Sequence, residues 1–104
     1  MNLEVDAEII GLDGNPIPFD SETAAPTRLK DVCRLALLDE TRKDAEHPNG
    51  EERFKRWQLA GRINAGGSVT VSAEEMALLK TRIGERFAAA IVGPAWTLLE
   101  SMKS

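Results

Sequence analysis

The chain has 104 residues, with 13 lysines and arginines against 17 aspartates and glutamates, and a formal net charge of −4 at pH 7. That length supports one domain, 1–104, built on a single modest core. The acidity argues against general nucleic-acid binding, which needs a surplus of cations for the phosphates, and a lone cysteine, Cys33, excludes an intrachain disulfide.

Charge is unevenly spread. Residues 1–22 hold six acids and no base, whereas the rest hold eleven acids and thirteen bases. An acidic arm therefore precedes a nearly neutral body. The arm opens with Leu3, Val5, Ala7 and Ile9 alternating with Glu4, Asp6 and Glu8, the period of a half-buried strand. Asp13-Gly14 is a strong turn signal. Pro16-Ile17-Pro18-Phe19 reads as a returning edge strand, where proline is tolerated. Residues 3–19 thus predict a β-hairpin, and 20–26, which lack periodicity, a linker.

Thr27 after Pro26 reads as the N-cap of a helix over 28–41, with Leu29, Val32, Cys33, Ala36 and Leu37 on its apolar stripe. Residues 42–50 are polar and predict a loop. Asn49 caps a second helix, and Glu51 and Glu52 suit its positive N-terminal end. Phe54, Trp57, Ala60, Gly61 and Ile63 make the apolar face of that helix, and Gly66-Gly67 stops it. Val69-Thr70-Val71 should be extended and could add a third strand to the hairpin.

Ser72 and Glu75 form a capping box, with Val71 and Met76 placed as a hydrophobic staple. The third helix carries Met76, Leu79, Ile83, Phe87 and Ile91. Gly93-Pro94 is expected to break it, with Pro94 in the first turn of a fourth helix holding Trp96, Leu98, Leu99 and Met102. The fold class is mainly α (α+β): an N-terminal β-hairpin followed by a three- to four-helix bundle, with 1–26 as arm and linker and 27–104 as helical body. The expected core is Leu29, Val32, Cys33, Leu37, Trp57, Ile63, Leu79, Ile83, Phe87 and Leu99.

Little in the chain points to chemistry. His47 is the single histidine and lacks the companions of a metal site. Cys33 sits on an apolar stripe, where a thiol is a small hydrophobe and not a nucleophile. The pairs Glu51-Glu52 and Glu74-Glu75 lie in first helical turns, which helix-end electrostatics explains. Neither Gly11–Gly14 nor Gly66-Gly67-Ser68 matches a phosphate loop. We expect no catalytic, cofactor-binding or metal-binding residues and no cofactor.

Two surfaces remain. Arg53, Arg56 and Arg62 cluster around Trp57, a pattern that could hold phosphate and stack a base, although charged helix faces are more often solvated. On the last helices Ile91, Trp96, Leu98 and Met102 form a candidate interaction surface, because 87–92 is apolar on more than one side. A symmetric homo-dimer or small homo-oligomer pairing 87–99 would cover it. Folding of the hairpin and linker over the same face would cover it equally well.

Five segments resemble a family of small proteins encoded by tailed phages and prophages: Ile10–Ile17, Leu29–Leu38, Lys55–Ile63, Val69–Lys80 and Val92–Glu100. They span nearly the whole chain and consist of core and capping positions. The resemblance implies a phage-related, non-enzymatic role and carries no site residues with it. The expected function is protein–protein interaction in the bacterial host cytoplasm, with a phage assembly component or a host factor as partner and no membrane contact. The alternative is an anti-defence protein that sequesters a nucleotide signal or inhibits a host defence protein.

Overall fold

The structure, a computed structural model, describes residues 1–19 and 25–102. Strand β1 (Asn2–Glu4) does not return on itself. It pairs antiparallel with β2 (Ser68–Thr70), placing Leu3 opposite Val69. Both central residues point inward and their neighbours outward, as the alternation of a half-buried strand requires. Val71 N–H continues the contact by donating to the Met1 carbonyl at 2.8 Å.

The expected hairpin is therefore corrected to a looser meander. The Asp13-Gly14 turn forms, with Gly14 at φ 80°, and Gly11 N–H donates to Asn15 O at 2.9 Å. Pairing beyond it is a single bridge between Ile10 and Pro16. Pro16 and Pro18 have no N–H to extend a ladder. Ile17 is instead shared: it donates to Ile9 O and accepts from Thr27 N–H. The linker expected at 20–26 lies outside the described residues except for Ala25 and Pro26.

Helix α1 (Leu29–Leu38) buries Leu29, Val32, Cys33, Ala36 and Leu37, the expected stripe. It starts one residue later than predicted, because Thr27 is buried and bridges Ile9 to Ile17. Arg28 takes the cap, its N–H donating to Asp31 Oδ2 at 3.0 Å. The helix also ends early, at Leu38, and residues expected to be loop form a short helix α2 (Arg42–Glu46). Thr41 and Asp44 cap it reciprocally: Asp44 N–H donates to Thr41 Oγ1, and Thr41 N–H to Asp44 Oδ2 at 2.7 Å.

Helix α3 (Gly50–Asn64) starts as expected, with Asn49 accepting from Glu52 N–H at 3.1 Å. Gly66 and Gly67, both at positive φ, end it. Helix α4 (Ala73–Arg86) opens with the Ser72–Glu75 capping box and buries Met76, Leu79 and Ile83. The break after it falls at Phe87-Ala88 and not at Gly93-Pro94; both residues are extended. Helix α5 (Ala89–Ser101) then runs through Pro94, although an interior proline removes one hydrogen bond at about 3 kcal/mol. Turning at Phe87 brings α5 against α4, so that Ala95 and Leu99 are fully buried and Trp96 lies over Gly84. That burial offsets the proline.

The core joins β1, α1, α3, β2, α4 and α5 around Leu3, Leu29, Leu59, Ile63, Leu79, Ile83 and Leu99. Phe87, expected inside, is only partly buried. Among the described residues no helix is long and apolar enough to cross a membrane.

Candidate functional site

Helix α3 is rotated from the expected orientation. Its inward side carries Arg56, Leu59, Ala60 and Ile63. Phe54 and Trp57, predicted to be core, are 60% and 65% exposed, while Arg56 is 3% exposed. The reason lies across the helix interface. Asp44 on α2 and Arg82 on α4 are also largely buried, and Arg56 reaches Asp44.

Arg82 organises this polar cluster. Its Nε donates to Ala36 O at 2.9 Å and its Nη2 to Asp39 O at 2.6 Å. Those carbonyls lie at the end of α1, where they lack intrahelical partners and favour a cation. Its Nη1 donates to Asp44 Oδ1 at 3.0 Å and lies 2.9 Å from Oδ2. Arg56 Nη1 makes a longer contact of 3.4 Å with Asp44 Oδ2, and the Arg56 Nε is buried without a hydrogen-bond partner. Burial pushes the Asp44 carboxyl up, but hydrogen bonds from Thr41 N–H, Arg82 and the Thr41 hydroxyl outweigh it and hold the group well below the usual carboxylate range.

Around this centre the charges are paired. Arg53 contacts Glu40 at 3.0 Å and the Asp44 carbonyl at 3.2 Å. Arg86 contacts Asp39 at 2.7 Å, and Lys43 lies 3.6 Å from Glu85. Arg62 pairs with Glu75 and donates to the Thr70 carbonyl at 3.3 Å. The arginine patch anticipated around Trp57 is therefore divided. Arg53 and Arg56 turn toward α2, Arg62 turns toward α4, and Trp57 stands apart on the outer face with Phe54.

The four α5 candidates also separate. Ile91, Leu98 and Met102 pack against the core, and Met102 Sδ accepts from Glu4 N–H at 3.4 Å. Trp96 lies under the Lys80 ammonium, 5.4 Å from the ring centroid, while Lys80 pairs with Glu100. Leu98 borders a groove of about 570 Å³ between the Ile10–Leu12 turn and the small residues Ala89, Ala90, Gly93 and Pro94. A second, more polar cleft of about 890 Å³ lies between α3 and the start of α4, over Leu59 and Leu78.

The titratable groups flagged by sequence stay ordinary in placement. Burial pushes the Cys33 thiol up to about 12, which leaves no thiolate at neutral pH. His47 is exposed at the end of α2. Among the described residues no three His, Cys, Asp or Glu side chains are grouped to hold a metal. Sequence reasoning missed Asp44 and Arg82. The Thr41-Arg-Lys-Asp44 spacing was a readable cap, but the burial of Arg82 had no sequence signal of its own. No protein-family model, curated protein or solved structure matches the chain.

Proposed function

We propose that the protein is a non-enzymatic interaction protein of a tailed phage or prophage, acting in the host cytoplasm, and that it docks a protein partner on the outer face of α3. The observation that carries this reading is the exposure of Phe54 and Trp57, one helical turn apart on one face. Aromatic rings of this size dominate interface energetics when buried. The partner expected is a phage assembly component or host factor that offers an apolar cleft to the two rings. The resemblance to small phage proteins supplies the setting. The alternative, capture of a nucleotide signal, keeps Trp57 for stacking but finds Arg53 and Arg62 already engaged with carboxylates.

The test places a photocrosslinking amino acid at position 57 in phage-infected cells and identifies the adduct by mass spectrometry. The captured protein is then purified and titrated with wild type and with Phe54→Ala/Trp57→Ala. Roughly a thousandfold weakening in the double variant is the expected result, since hot-spot aromatics carry about 2 kcal/mol or more each and every 1.4 kcal/mol is tenfold. Unchanged affinity would overturn the reading. Adducts between two copies of the chain alone, with light scattering showing a dimer, would replace the foreign partner with self-association.

A further inference from the structure

Arg56 on α3 and Arg82 on α4 are each 3% exposed and converge on one carboxylate, that of Asp44. Each presents Nη1 to it, since Arg82 spends Nε and Nη2 on the Ala36 and Asp39 carbonyls, and a tetrahedral oxyanion offers more acceptor atoms to two such donors than a carboxylate does. The geometry here shows that mismatch. Arg82 is well satisfied, but Arg56 makes one long contact and its Nε has no partner.

The segment supplying the carboxylate is short and is held chiefly by polar contacts. Helix α2 has five residues and buries no apolar side chain; Asp44 is the one that turns inward, its side chain 12% exposed. Polar contacts hold it: the Asp44 carboxylate, the Asp44 carbonyl on Arg53, and the Lys43–Glu85 pair at 3.6 Å. None of its side chains belongs to the apolar core. With Asp44 displaced, Arg86 stays on Asp39 and Arg53 on Glu40, while Glu85 lies 3.9 Å from Arg82. The vacated centre therefore keeps two guanidinium groups against one nearby carboxylate, a net positive charge.

We propose that Arg56 and Arg82 form a binding site for a small oxyanion of the phosphate class, and that Asp44 on α2 occupies it as an internal competitor. This does not depend on the aromatic face of α3. An anion that binds only the open state shifts the α2 equilibrium by its differential affinity, so any change that loosens α2 raises apparent affinity.

The experiment titrates inorganic phosphate into wild type, Asp44→Asn, Thr41→Ala and Arg56→Met, with sodium chloride at matched ionic strength as control. Thermal melts and amide NMR signals of residues 41–46 are the readouts. Asp44→Asn removes the competing charge, and phosphate should bind it roughly tenfold or more tightly than wild type, a 1.4 kcal/mol difference. Thr41→Ala removes the α2 cap and the hydroxyl hydrogen bond to the Asp44 carboxylate but leaves the competing charge, so it should fall between the two, which keeps the test open if Asp44→Asn folds poorly. Arg56→Met should abolish the response. Adenosine monophosphate in a parallel arm distinguishes phosphate esters from free phosphate, since the ester binds only where the open site admits a substituent. Equal stabilisation of every variant by phosphate and chloride, or a phosphate response that survives Arg56→Met, would overturn the proposal.

Discussion

From Leu59 to Ile63, α3 is held as its apolar spacing dictates, with Leu59, Ala60 and Ile63 buried against the common core. One turn earlier the same helix is held by charge, with Arg56 inside and Phe54 and Trp57 outside. The rotation of a helix is a single variable, so the two halves cannot choose their faces independently. Seating Ile63 and Leu59 places position 56 inward, and Asp44 makes an arginine tolerable there. The outward aromatic pair follows from that choice. An ion pair placed this deep fixes orientation more than it adds stability, because desolvation cancels much of the attraction.

Removing one charge should break the polar half hardest. Asp44→Ala leaves Arg56 and Arg82 buried without their carboxylate, at an expected cost of about 3–5 kcal/mol in urea unfolding. A loss below about 1 kcal/mol would mean that water reaches the cluster and that the halves are less different than their burial implies. Ile63→Ala probes the apolar half at a fully buried site. It should cost about 3 kcal/mol, within the range for large-to-small core changes.

Acid should separate the halves further. The Asp44 carboxyl is held below its ordinary value, so the folded chain gives up that proton at lower pH than the unfolded chain does. Its stabilisation is fully present above about pH 5 and is lost as pH falls through about 4 toward the folded value. Urea unfolding of wild type and Asp44→Asn should show a gap at pH 7 that narrows at pH 3, whereas the wild type–Ile63→Ala gap should stay constant. The smallest effect is expected outside. Trp57→Gln should change stability by no more than about 0.5 kcal/mol, as exposed substitutions do. A larger loss would place the indole in the fold and remove it from the proposed interface.

Much of the helical framework is legible in the sequence because it is written locally. The Ser72–Glu75 box, the Asn49 cap, the Gly66-Gly67 stop and the α1 stripe need only neighbouring residues to act. What is not legible depends on distant ones. The apolar periodicity of α3 fits two orientations, one burying Trp57 and one burying Leu59 with Arg56. Deciding between them requires Asp44 and Arg82, which lie 12 and 26 positions away. Gly93-Pro94 is the strongest local breaker in the chain, yet α5 passes through it because Ala95 and Leu99 gain the core by doing so. The β1 alternation is readable, but nothing beside it names β2 as its partner. The candidate surfaces fared similarly: the residue types were visible, but their grouping on faces was set by tertiary packing.

The β1–β2 pairing has a kinetic consequence. Asn2 and Thr70 meet across 68 positions, whereas α4 and α5 adjoin in sequence and pack directly. Closing so long a loop costs entropy before any contact repays it, and such long-range pairings slow folding. During synthesis the first strand therefore waits, its edge unpaired, until residues 68–70 have left the ribosome. Over that interval the acidic residues interleaved through the arm have a second use. Glu4 in the strand and Asp6 and Glu8 just beyond it keep an otherwise apolar segment charged, and charge is the ordinary guard against pairing with the wrong edge.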